Sequence, residues 1–216
     1  MHRSITIFFI SLLFICNSNA QVIRGAVIAG GSLTQVDGDE VYGWKKIGLN
    51  IGAAAIIPFG DKWSVSLENI YNQKGSYQKP TLSGPETGEY KLILDYVEIP
   101  LMVHFTDKDY ITAGIGLSWG RLINIKEYEH GNRIETTTLD GPYKREDWNI
   151  LIDIRIPIYQ RLKFNFRYAY SMVKIRSRYF IKTDETRDQF NTLLTFRLIY
   201  IFNEKISSVS RNKSIE

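Results

Sequence analysis

The sequence predicts an all-β chain, an eight-stranded antiparallel up-and-down transmembrane β-barrel with its bulky side chains turned outward. Three observations predict it. Apolar residues recur at every second position in eight segments, the connections between those segments alternate long and short, and strand glycines gather on one face while Trp, Tyr and Phe gather on the other. Successive side chains of a strand point to opposite faces, so a period of two reports one face in an apolar medium.

The first segment, residues 22–33, sets Arg24 against Ile23 and Val27. In the second, Ile47, Leu49, Ile51, Ala53 and Ala55 oppose Lys46, Gly48, Asn50 and Gly52. The third sets Trp63, Val65, Leu67 and Tyr71 against Ser64, Ser66, Glu68 and Lys74, and the fourth sets Ile93, Val97, Ile99, Leu101, Val103 and Phe105 against Tyr96, Glu98 and His104. The fifth opposes Ile111, Ala113, Ile115, Leu117 and Trp119 to Thr112, Gly114, Gly116 and Ser118. Trp148, Ile150, Ile152, Ile154 and Ile156 alternate with Asn149, Leu151, Asp153 and Arg155 in the sixth. The last two are the sharpest: Leu162, Phe164, Phe166, Tyr168, Tyr170 and Met172 alternate with Lys163, Asn165, Arg167, Ala169 and Ser171, and Thr192 to Phe202 with Asn191, Thr195 and Arg197.

Tight turns are expected at residues 58–61, 106–109 and 157–160, and long polar connections at about 34–43, 77–89, 126–147 and 176–188. Barrels of the outer membrane have an even strand number, short periplasmic turns and long extracellular loops, which this order matches at every step. A soluble lipocalin-like barrel also has eight strands, with the apolar face inward. Residue size separates the two. The polar faces carry Gly30, Gly48, Gly52, Gly114, Gly116 and Gly120, and an eight-stranded interior is only just wide enough for side chains, so small residues belong there and aromatics outside. The aromatics also fall near strand ends, as in the interfacial girdles of a membrane barrel.

Residues 1–20 have a positive start at Arg3, an apolar run over 5–15 and small residues at Ser18, Asn19 and Ala20, the anatomy of a secretory signal peptide cleaved after Ala20. The apolar run is shorter than the roughly 20 residues a helical span requires. The barrel is assigned to residues 21–202 and a polar, disordered tail to 203–216. Cys16, the only cysteine, lies in the leader behind Ile15, a poor context for lipidation, so the mature chain has no thiol chemistry. Removing the leader takes one basic residue from a net charge of +4, and the scattered charges leave no footprint for nucleic acid.

Residues 96–101, Tyr-Val-Glu-Ile-Pro-Leu, resemble a Tyr-x-Glu-Ile-Pro-Leu run in the fourth strand of the PorT-like outer-membrane β-barrel family of the Bacteroidota. Glu68 followed by Tyr71-Asn72-Gln73-Lys74-Gly75 is similar to that family's third strand, and Gly114-x-Gly116 and the aromatic end at Tyr200-Ile201-Phe202 also match. The resemblance covers most of the mature chain and implies an outer-membrane location. The namesake's part in secretion and gliding is not carried over. The chain departs from the pattern in continuing past Phe202, where such barrels often end on the aromatic that assembly reads.

The lumen is expected to hold Glu68, Glu98 and Asp153 beside Arg24, Arg155, Arg167 and Arg197. Buried charges persist when paired, and eight strands enclose too little space for an aqueous channel, so a salt-bridged plug is favoured over a selectivity ring. His130, Asp140, Thr136, Thr137, Thr138 and Ser83 fall in long connections and His104 near a tight turn, with no spacing that brings a nucleophile, base and carboxylate together. Asp37, Asp39 and Glu40 could hold calcium weakly, but a solvated acidic loop is the simpler reading, and no cofactor is expected. The expected function is a structural or surface-interaction protein, in contact with outer-membrane lipid and meeting another envelope or surface protein through the long loops. A narrow porin-like channel, a lipid-active enzyme and the soluble barrel are the alternatives.

Overall fold

The computed structural model describes residues 23–80, 88–108, 110–135, 138, 141–180 and 183–204, so the expected leader and most of the expected tail lie outside the described residues. The strands are β1 (Arg24–Asp37), β2 (Lys46–Phe59), β3 (Trp63–Lys74), β4 (Tyr77–Gln78), β5 (Tyr90–Asp107), β6 (Ile111–Glu129), β7 (Asn132–Ile134), β8 (Glu146–Tyr159), β9 (Leu162–Ser171), β10 (Arg176–Phe180) and β11 (Glu185–Ile201). Eight of them, each 10 residues or longer, form the barrel: β1, β2, β3, β5, β6, β8, β9 and β11. That length is enough, since a tilted strand crosses a bilayer in about 9–11 residues. Each long strand pairs antiparallel with its chain neighbours, and β1 closes the ring against β11 from Ala26 opposite Ile201 to Asp37 opposite Phe190.

The outward face is apolar. Leu49, Ile51, Leu67, Leu101, Val103, Ile115, Leu117, Ile152, Ile154, Phe196 and Leu198 are 38–57% exposed, a contiguous belt far beyond what a water-facing surface carries. At the short-turn end Trp63 stacks on Phe59 and meets the edge of Phe105, while Tyr200 packs on Phe202. At the other end Trp119 stands opposite Trp148, and Tyr170 stacks on Phe190. Above that second girdle the outer face turns polar: Asp95 accepts from Gln73 at 3.0 Å and from Asn124 at 2.8 Å, and Asp37 accepts from Thr192 at 2.6 Å.

Inward positions are layered. Ala26, Ile28, Ile56, Ile70, Ile199 and Ile201 cluster near the short turns. Along β8 and β9 the inward pairs then run Asp153 opposite Arg167, Leu151 opposite Ala169, and Asn149 opposite Ser171. Leu151 and Ala169 pack with Met102 and Leu193, so a thin apolar layer separates two polar ones. At the long-loop end Val36, Leu92, Leu94, Tyr96, Leu122, Ile125, Tyr143 and Ile175 form the largest cluster.

The structure corrects the extent of the long connections. Pairing continues into residues 77–89, 126–147 and 176–188, as β4 on β5, β7 on β6 and β10 on β11. A register shift in the β5–β6 ladder places Asp95 opposite Asn124 but Tyr96 opposite Leu122, leaving Ile123 as an extra residue on β6. Such a bulge switches the inward parity, so Ile125 and Glu127 turn inward where an even series had run. Beyond the bilayer neither face meets lipid, which removes the alternation that marks a strand in the sequence.

A Cβ on Gly114 would stand 2.3 Å from the His104 ring and 2.6 Å from an Asp153 carboxylate oxygen, so only glycine fits there. Gly25, whose added Cβ would make an ordinary 3.5 Å contact with Phe202, has no such constraint. Gly114→Val is expected to destabilise the barrel by about 3 kcal/mol or more, the upper range of overpacking, and Gly25→Ala by less than about 0.5 kcal/mol. Urea unfolding from lipid vesicles, followed by Trp fluorescence, measures both.

Candidate functional site

The interior charges form two groups rather than one. In the first, Glu68 of β3 accepts a fork from Arg167 of β9, with both contacts at 2.8 Å, and is also reached by Arg197 and Arg155, each at 3.2 Å. Asp153 of β8 lies 2.8 Å from Arg167 and 3.8 Å from both Arg155 and Arg197. His104 Nε2 lies 3.2 Å from the other oxygen of Asp153. Asn165 takes two further hydrogen bonds from Arg197, at 2.8 and 2.6 Å. Three guanidinium groups against two carboxylates leave this group one positive charge in excess.

The second group is centred on Lys74 of β3. Its ammonium sits 2.6 Å from Glu98 and 2.9 Å from Asp147, donates to Asn149 at 3.1 Å and lies 4.9 Å above the Tyr96 ring. Asn72 donates to Glu98 at 3.0 Å, and Ser171 and Asn191 donate to Asp147 at 2.7 and 2.9 Å. One ammonium against two carboxylates leaves one negative charge, which offsets the excess in the first group. Lys74 and Arg197 are both 1% exposed, so each charge is removed from water and stands only because of its partners.

Of the seven lumen residues expected from the sequence, Glu68, Asp153, Arg155, Arg167 and Arg197 come together. Glu98 does not join them, since Lys74 lies closer along its own wall. Arg24 is corrected too: it sits at the short-turn mouth, 3.5 Å from Glu204. Sequence reasoning missed Lys74 and Asp147 as network members. Lys74 is legible in hindsight, because it continues the even-numbered inward series of Ser64, Ser66 and Glu68. Asp147 could be placed by its parity with Asn149 and Asp153, but it fell inside the range read as loop.

A third polar cluster lies beyond the bilayer. Glu127 accepts from Tyr90 and from Arg176, both at 3.0 Å, and Arg176 donates to the Tyr143 hydroxyl at 2.6 Å while its guanidinium lies 4.8 Å from that ring. Burial, with the nearby carboxylate, pushes both tyrosine hydroxyls up from their ordinary range, so they are donors at any physiological pH. The acids considered for calcium diverge: Asp37 binds Thr192, Asp39 accepts from the Val41 amide at 2.9 Å, and Glu40 lies 3.5 Å from Arg187. Among the described residues no group of metal-ligating side chains gathers. His104 Nε2 faces Asp153 at 3.2 Å, and Ser83, Thr136, Thr137 and Asp140 lie outside the described residues.

Glu68→Ala strands three arginines and is expected to cost about 3–5 kcal/mol, whereas Glu146→Ala, which breaks an exposed 3.5 Å pair with Arg121, costs less than about 1 kcal/mol. Urea titration of folded barrels in vesicles measures the two against each other. In the loop after β1, burial raises Asp39 to about 6. The folded loop therefore holds a proton that the unfolded chain releases between about pH 4 and pH 6, and its stability falls as pH rises through that window. Asp39→Asn is expected to remove this dependence, read as equal amide-exchange protection of residues 37–45 at pH 4.5 and pH 7.5 after correction for intrinsic rates.

Residues 20–176 match the model of the outer membrane protein beta-barrel domain family. Among solved structures, the Neisserial surface protein A is 8% identical and aligns over 82% of this chain and 96% of its own, with a TM-score of 0.50. The attachment invasion locus protein Ail of Yersinia pestis is 12% identical over 83% of this chain and 99% of its own, with a TM-score of 0.49. No curated protein matches the chain. The family match spans most of a closed antiparallel ring with a lipid-facing belt, and the chain belongs to the outer membrane protein beta-barrel domain family.

Proposed function

We propose that this protein is a small outer-membrane barrel whose lumen is closed by its own ion pairs and which acts as a structural or surface-interaction protein through the elements on its long-loop side. The observation that carries the reading is the pairing of every charged residue in the two inner groups at solvent exposure near zero. An aqueous path needs solvated charges along it, whereas Arg197, Glu68 and Asp153 have one another and Lys74 has Glu98 and Asp147. The thin layer of Met102, Leu151, Ala169 and Leu193 between them adds an apolar barrier.

The interaction half of the reading is supported by the strands that continue beyond the bilayer. β4, β7 and β10 extend the wall into a rim held by the Glu127–Arg176–Tyr143 cluster and by Arg178 on Glu129 at 2.8 Å. Tyr42 and Tyr179, 75% and 55% exposed on that side, are the kind of rigid amphipathic side chain that interfaces enrich. The partner proposed is another envelope or surface protein. The residues that resemble the PorT-like family, Glu98 to Leu101 and Glu68 with residues 71–75, include both hubs of the inner network, which supports placing the chain near that branch. The export signal at residues 1–20 is part of the same proposal.

Planar-bilayer recording tests the closed lumen. The refolded chain is expected to give no steady conductance steps, and Lys74→Ala, which leaves Glu98 and Asp147 facing each other, is expected to give intermittent ones. Steady open steps from the unaltered chain would replace this reading with a channel, and altered lipid A or phospholipid on expression would replace it with an enzyme.

A further inference from the structure

At the short-turn mouth the barrel wall leaves a cavity of about 340 Å³. Among the described residues, Arg24, Lys62, Arg155 and Lys163 line it against two acids, Asp61 and Glu204, so this lining carries two positive charges in excess. Glu204, on the segment after β11, folds into this mouth. Its carboxylate oxygen Oε1 lies 2.7 Å from Lys163 Nζ and 3.5 Å from Arg24 Nη1, and its backbone carbonyl accepts from Arg161 Nε at 3.2 Å. Deeper in, Arg155 is 4% exposed, spends one nitrogen on Glu68 and keeps a buried Nε with no hydrogen-bond partner.

We propose that this mouth is a carboxylate-binding site, with Glu204 as a built-in and displaceable occupant. Two observations carry it independently. The side chain of Glu204 shows that Lys163 and Arg24 hold a carboxylate in this geometry, and the unpartnered Arg155 Nε is a donor left unused behind it. A guanidinium fork and an ammonium suit a carboxylate at two points, and a cavity of this volume admits a ligand larger than the single group now present. A small di- or tricarboxylate fills both subsites: one carboxylate replaces Glu204 on Lys163 and Arg24, and a second reaches Arg155. With the short turns on the periplasmic side, the ligand arrives from the periplasm. Glu204 competes at an effective concentration set by its tether, so it lowers the apparent affinity for any free acid without changing the site.

Isothermal titration of the refolded full chain in detergent micelles, with citrate as probe at constant ionic strength, tests this. Glu204→Gln is expected to bind citrate at least tenfold more tightly than the unaltered chain, and adding Lys163→Gln or Arg24→Gln is expected to abolish that gain. Heat-modifiable gel migration confirms that each variant is folded. Trp63, on the cavity rim, supplies a second readout by fluorescence quenching in the unaltered chain, which needs no substitution. Equal citrate affinity with and without Glu204, or a gain that survives loss of both Lys163 and Arg24, overturns the site. Inorganic phosphate binding as tightly as citrate overturns the carboxylate assignment. None of these readouts depends on whether the lumen conducts, so this proposal and the closed lumen fail separately.

Discussion

A backbone that enters hydrocarbon must pair every N–H and C=O internally, and for a chain without a membrane-spanning helix among its described residues the way to do so is a sheet that closes on itself. The β1–β11 seam, twelve residue pairs from Ala26–Ile201 to Asp37–Phe190, meets that requirement. Closure fixes the rest. It gives every strand a lipid side and a lumen side, sets the number of inward positions, and makes the interior narrow enough that glycine is needed at Gly114. Pro100, an inward residue of β5, has no amide hydrogen to give. The β3–β5 register omits Glu68 and Asn69 opposite Ile99 and Pro100, so the weak point of the ladder lies beside the main carboxylate of the lumen.

The interior then faces an electrostatic problem of its own making. Polar residues on the inner face suit a barrel that folds from water into lipid, yet their burial is unfavourable unless each charge finds an opposite one. Here the solution is distributed over the ring: Glu68 of β3 is met from β8, β9 and β11, and Lys74 of β3 from β5 and β8. Each group tie-bars strands that are not neighbours, so the ion pairs brace the cylinder across its diameter while the backbone ladder holds it around its circumference.

The two ends of the barrel differ in the same terms. The long-loop end is capped by an apolar cluster with a buried Glu–Arg–Tyr arrangement, and its strands run on past the membrane. The short-turn end opens onto a basic recess that the residue after the last strand partly neutralises. One end is built as a rigid rim, the other as a small vestibule.

The eight-strand pattern, the order of long and short connections and the outward orientation were all legible in the sequence, because lipid on one face and a cramped lumen on the other impose a strict alternation. Phe164, Phe166 and Tyr168 against Asn165 and Arg167 required no coordinates to place. Parity also supplied the members of the Glu68 group, Glu68, Asp153, Arg155, Arg167 and Arg197, although it drew Arg24 and Glu98 in with them. Parity carries no depth or partner information, however. Strand tilt and register decide how far along the axis each inward side chain lies, and they put Glu98 with Lys74, sent Arg24 to the mouth and drew Asp147 out of an expected loop. The bulge at Ile123 reversed the parity of β6, and the strands beyond the bilayer had no lipid to write a period into them. Which residues face inward was a local property of the chain, and which of them meet was settled only by closing the ring.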